Sequence, residues 1–102
     1  MNPAPFHWSD QQPDNPAHEM LVAFLTMDIQ QSQEWATELL NQIEAVKSGQ
    51  LPQWERLGNA FHLEISNQGV LIRDCVDETS QEQQVSLEEL HAATLAWLNS
   101  LS

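Results

Sequence analysis

The groups in this 102-residue chain that could do chemistry are four histidines (His7, His18, His62 and His91), one cysteine (Cys75) and fifteen acidic residues. Imidazole changes charge near neutral pH and is the commonest zinc ligand, so the histidine spacing is read first. No two histidines are four residues apart, and none lies in H-x-H or H-E-x-x-H. A divalent metal site would need His18, His62 and Asp28 to converge through the tertiary fold. The expectation is therefore hydrogen-bonded or solvent-facing histidines, with no cofactor and no metal. The alternative is a small metal-binding protein or enzyme using His62 and nearby carboxylates.

Cys75 could act as a nucleophile only with a base, an orienting group and an oxyanion hole around it. An acidic neighbourhood disfavours the thiolate, so Cys75 reads as a small hydrophobe in or beside a sheet. Glu88 and Glu89 sit where the first turn of a helix favours acids, and Asp77, Glu78 and Glu82 sit in a polar stretch, so all five read as solvated. The three glycines, Gly49, Gly58 and Gly69, are isolated, which excludes a glycine-rich phosphate loop. No catalytic motif remains.

Four tryptophans are what stands out next. Trp35 and Trp97 fall on the apolar stripes of two helices and read as core. Trp54 lies in a connector beside Glu55 and Arg56, and Trp8 lies in a proline-rich arm. Aromatics outside regular elements either pack on the protein's own core or anchor a partner.

Charge narrows the partners. Three basic against fifteen acidic residues give a formal net charge of −12. Nucleic acids and anionic membranes need cationic patches, so direct binding to either is disfavoured. A dispersed negative surface keeps a small protein soluble, as in most acidic proteins; a contiguous acidic patch would instead recruit a basic protein partner or imitate nucleic acid. One cysteine excludes a disulfide within the chain and a cysteine-rich zinc site. No apolar run reaches the roughly 18 residues of a membrane span. Residues 1–16 have no basic residue and no long apolar run, which is unlike a secretory signal. A soluble cytoplasmic protein is expected.

The elements that must position these side chains come from periodicity. Residues 1–17 hold Pro3, Pro5, Pro13 and Pro16 with many Asn and Gln, and read as a partly disordered arm carrying Phe6 and Trp8; residues 18–102 read as one domain. In Glu19–Ile29, Leu21, Ala23, Leu25, Met27 and Ile29 alternate as one apolar face, which predicts a strand. Asn15-Pro16 is a good cap and first-turn pair, and makes a helix the competing reading. Ser32 caps a helix over Gln33–Lys47 with Trp35, Leu39, Ile43 and Val46 on one stripe and Gly49 as its stop.

Phe61, Leu63 and Ile65 alternate with His62, Glu64 and Ser66, and Val70, Ile72 and Val76 resume the pattern after a turn, a hairpin signature. With Gln68-Gly69 as the loop, Glu64 faces Arg73 and His62 faces Cys75. Asp77–Gln84 reads as a loop. Ser86 to Glu89 is a capping box opening a last helix with Leu87, Leu90, Thr94, Trp97, Leu98 and Leu101 on one face. The economical fold is α+β in two layers, a small antiparallel sheet of about three strands with two helices on one face.

Trp54, Gly58-Asn59, Phe61-x-Leu63, the hairpin after it, Leu87-x-x-Leu90 and Trp97 together resemble the YacL family of small uncharacterised bacterial proteins, over the C-terminal half. The resemblance implies an α+β bacterial domain of acidic character and brings no activity, cofactor or catalytic residue. The expected function is a non-catalytic protein-interaction or regulatory module. Its candidate contact surface is the outer sheet face with His62, Glu64, Arg73 and Cys75, joined by Trp8 and Trp54. An open face and open edges also allow a homodimer.

Overall fold

A computed structural model describes residues 8, 11–12, 14–77 and 79–101. The expected features of Phe6 and His7, and most of the proline-rich arm, lie outside the described residues. Helix α1 (Pro16–Phe24) continues into a single π turn (Leu25–Ile29), followed by α2 (Gln33–Lys47), strands β1 (Gln53–Leu57), β2 (Phe61–Ser66), β3 (Gly69–Asp74) and β4 (Gln83–Val85), and α3 (Leu87–Ser100). The sheet order is β1-β2-β3-β4, and every pairing is antiparallel. The fold is α+β, as expected, with one more helix and one more strand than the sequence suggested.

The strand expected over residues 19–29 is instead α1 and the π turn. That stretch is apolar at most positions, so a period of two and a period near 3.6 both fit it. The local cap decides between them: the Asn15 side chain accepts the Ala17 and His18 backbone N–H groups at 2.9 and 3.3 Å, and Pro16 fills the first helical position. Leu21, Phe24, Leu25, Asp28 and Ile29 are buried, the 3,1,3,1 spacing of a helical face. The helix therefore starts two residues before the expected domain boundary.

Two further strands replace expected loops. The connector Trp54–Asn59 overlaps β1, and the polar stretch Asp77–Gln84 overlaps β4. Neither shows apolar alternation. β1 exposes Gln53, Glu55 and Leu57 and half-buries Trp54 and Arg56, so its inward face is a tryptophan and an arginine.

Phe61, Leu63 and Ile65 of β2, Val70 and Ile72 of β3, and Val85 of β4 are all buried, so one face of the sheet carries the core. All three helices pack against that face. In α2 the buried stripe is Ala36, Leu39, Ile43 and Val46. Trp35, expected in the core, lies one position off the stripe and is half-exposed. Trp97 is buried as expected, and its indole N–H donates to the Gln30 carbonyl at 2.7 Å. Val76, expected to extend the apolar face of β3, lies beyond that strand and is exposed.

The hairpin loop is Asn67–Gln68, not Gln68–Gly69, because Ser66 pairs with Gly69. Gly69 has φ of 134°, a region that favours glycine, and this fixes where the turn ends. The register follows: His62 faces Arg73, and Glu64 faces Leu71. The expected Glu64–Arg73 and His62–Cys75 pairs do not form.

Candidate functional site

The pleat sends alternate side chains of each strand to opposite faces. On the face away from the helices, the register brings together Glu55 and Leu57 of β1, His62 and Glu64 of β2, and Leu71 and Arg73 of β3. The face encloses an open concavity of about 610 Å³ lined in part by Glu55, Glu64, Leu71 and Gln84.

Its polar centre is a ladder across three strands. Arg73 Nη2 lies 3.0 Å from His62 Nδ1, and His62 Nε2 lies 3.0 Å from Glu55 Oε2 and 3.8 Å from Glu64 Oε1. A guanidinium only donates, so Nδ1 accepts. The ring proton therefore sits on Nε2 and is donated to Glu55. The tautomer follows from the partners on either side of the ring.

One donor atom from each of Glu55, His62 and Glu64 lies within 4.8 Å of the others, a set that could hold a divalent cation. Metal bound at Nε2 would displace that proton and require a proton on Nδ1, which Arg73 now occupies as a donor. The ladder is internally satisfied without a cation. Cys75 lies beyond the end of β3, is exposed, and its thiol reaches the Arg73 carbonyl at 4.0 Å. It has no histidine opposite it.

The other expected ligands are elsewhere and do not converge. His18 is buried in α1 and packs against Trp8, with ring centroids 4.9 Å apart. Its Nδ1 accepts the Gln12 backbone N–H at 3.0 Å, so its Nε2 donates to Glu89 on α3. Burial raises the Glu89 carboxyl, but the bonds from the Ser86 backbone N–H and from His18 outweigh it and hold that carboxyl below its usual range. Trp8 is thus part of the core and offers no exposed surface, and Trp54 is half-buried on the inward face of β1. His91 Nε2 meets Glu44 Oε1 at 2.7 Å and ties α3 to α2.

Asp28 is a structural acid. Its side chain is fully buried and accepts the Ala60 and Phe61 backbone N–H groups at 2.9 and 3.0 Å. Arg56 Nη1 faces it at 3.5 Å, and the same guanidinium lies 4.5 Å above the Trp35 ring.

Of the six expected contact residues, His62, Glu64 and Arg73 are therefore brought together on the open face, Cys75 lies beyond the end of β3, and Trp8 and Trp54 are turned inward. Sequence reading missed Glu55, Leu57 and Leu71. Glu55 and Leu57 sit in the connector that proved to be β1. Their alternation with Trp54 and Arg56 was the available signal, obscured because the inward side chains are not aliphatic.

Among the described residues, no helix is long and apolar enough to cross a membrane. Searches of curated proteins and of solved structures find no match. A family match runs over residues 15–98, through both halves of the chain rather than the C-terminal half alone. It covers α1, α2, the whole sheet and most of α3, so the chain belongs to UPF0231, an uncharacterised protein family.

Proposed function

We propose that this protein is a non-catalytic interaction module that binds a basic protein partner on the open face of its sheet. The observation that carries the reading is the division of the sheet: all helices cover one face, and the other presents Glu55, Glu64, Leu57 and Leu71 around the His62–Arg73 ladder. In a chain of net charge −12, approach of a basic partner to that face is steered by long-range attraction. Exposed acids also lie on α2 (Glu34, Glu38, Glu44) and α3 (Glu88), so the negative charge is scattered rather than lined up like a phosphate backbone. This supports a protein partner over imitation of nucleic acid. The YacL resemblance adds no activity to the reading.

The test is a purified partner. A protein captured from a lysate of the source cells is identified, repurified and titrated by calorimetry against wild type and Glu64→Lys. The reading expects a net-basic partner, binding at least about tenfold weaker to the variant, and weakened again in about 0.5 M salt, where screening is nearly complete. No saturable partner, or one indifferent to Glu64→Lys, overturns it.

A divalent-cation protein built on Glu55, His62 and Glu64 is the second reading, favoured by the closeness of their donor atoms. It expects zinc to bind with unit stoichiometry in calorimetry and to be lost with His62→Ala. Binding unchanged by that substitution, or none, overturns it.

A further inference from the structure

We propose that the free edge of β1 takes up a basic extended segment of the partner as a fifth strand. This rests on the interaction-module reading and states where and how the partner sits.

The sheet ends at β1 on one side and β4 on the other. β4 has three residues and packs against α1, whereas β1 has five and pairs with β2 along one side. The Gly58 N–H donates to the Phe61 carbonyl at 2.9 Å and closes the loop Asn59–Ala60. Antiparallel ladders alternate bonded and non-bonded pairs. Gly58–Phe61 being bonded, Arg56–Leu63 and Trp54–Ile65 are the bonded pairs of β1. The backbone N–H and carbonyl groups of Gln53, Glu55 and Leu57 then point away from β2, to the open edge. All three residues are exposed, and the five-residue register with β2 has no bulge and no proline. An edge of this kind is a template for strand addition.

Two surfaces flank that edge and would read alternate side chains of an added strand. On the outer face lies Glu55, with Glu64 directly across on β2. On the inner side is a cleft of about 250 Å³ between α2 and β1, lined by Trp35, Leu39 and Trp54 with the exposed Glu38 also on its wall. Arg56, which also lines it, is already engaged by Asp28 and the Trp35 ring. The matching ligand has lysine or arginine at one parity and aliphatic side chains at the other. Charge separates this occupant from a second copy of the chain. Two β1 edges in full antiparallel overlap set Glu55 against its twin, and like charges directly opposite are unfavourable. They also join two chains of net charge −12.

The test uses an acetylated, amidated heptapeptide of alternating lysine and valine, and the glutamate–valine peptide as its control. Binding to the full chain is followed by amide shifts and hydrogen exchange at low salt. The proposal expects saturable binding of the lysine peptide alone, with slowed exchange at the Gln53, Glu55 and Leu57 amides. It expects at least tenfold weaker binding to Glu55→Lys. Leu57→Pro, which removes an outward N–H and leaves the β1–β2 bonds intact, should weaken binding comparably. Shifts confined to His62 and Arg73 with the β1 amides unchanged overturn the edge site and leave the open-face reading standing. No saturable peptide binding overturns the edge site too, and the Glu64→Lys titration with the whole partner decides separately the reading beneath it. Concentration-dependent protection of the same three amides without peptide identifies a second copy as the occupant and overturns the proposal.

Discussion

Asp28 does with one carboxylate what the β1–β2 loop cannot do alone. Gly58 and Phe61 close that loop with one bond, from the Gly58 N–H, and the Phe61 N–H goes to Asp28 instead. Removing the carboxylate leaves two buried N–H groups without an acceptor and Arg56 without its counter-charge. Asp28→Ala is expected to cost about 3–5 kcal/mol, the usual penalty for breaking a buried pair from one side, read by urea denaturation. Glu89 sets a pH dependence. Its folded carboxyl lies below the ordinary value of 4.5, so its contribution is present above that value and is lost as pH falls through the folded one. Glu89→Gln, which keeps an acceptor for the Ser86 N–H, should flatten the fall in stability as pH drops below the ordinary value of 4.5. An unchanged slope in that window would count against the assignment. Neither role was legible beforehand. A lone Asp in an apolar run and a Glu in a capping box give no hint of partners 32 and 71 residues away.

At the scale of elements, the loop between β1 and β2 is tightly built. A Cβ on Gly58 would land inside contact distance of Arg56 Nη1 and Asp28 Oδ2. Gly58→Ala should push the guanidinium off its partner and cost about 1–3 kcal/mol by thermal melting, a typical penalty for overfilling a packed site. α2, β2, β3 and α3 were readable because each has a clean period or a cap: Ser32 accepts the Trp35 N–H, and Ser86 and Glu89 form a reciprocal capping box. α1 was misread because a nearly continuous apolar run fits two periods, and the Asn15–Pro16 cap carried the deciding information. β1 was missed because its inward face is Trp54 and Arg56. That omission hid Glu55 and Leu57, and with them the β1 third of the open face. The register slip by one loop residue displaced Arg73 from Glu64 to His62, so the right residues were named with the wrong partners.

For the whole molecule, a charge of −12 on a chain whose Cα radius of gyration is 12.9 Å means that most charged pairs lie within about one or two Debye lengths at moderate salt. Self-repulsion then opposes the compact state, and added salt relieves it. Raising sodium chloride from about 0.01 to 0.2 M should raise Tm by about 3–6 °C in calorimetry, the shift that goes with roughly 1 kcal/mol in a domain of this size. A flat or falling Tm would show that favourable ion pairs dominate instead.

The order of the sheet has a kinetic consequence. Each strand pairs with its immediate successor, and the first two connections are loops of three and two residues. Little loop-closure entropy opposes these hairpins, so β1 to β3 can zip early. The contact from His18 to Glu89 spans 71 residues and must await the docking of α3. Destabilising changes at the β2–β3 pairing should therefore slow folding, while changes beneath α1 should chiefly hasten unfolding.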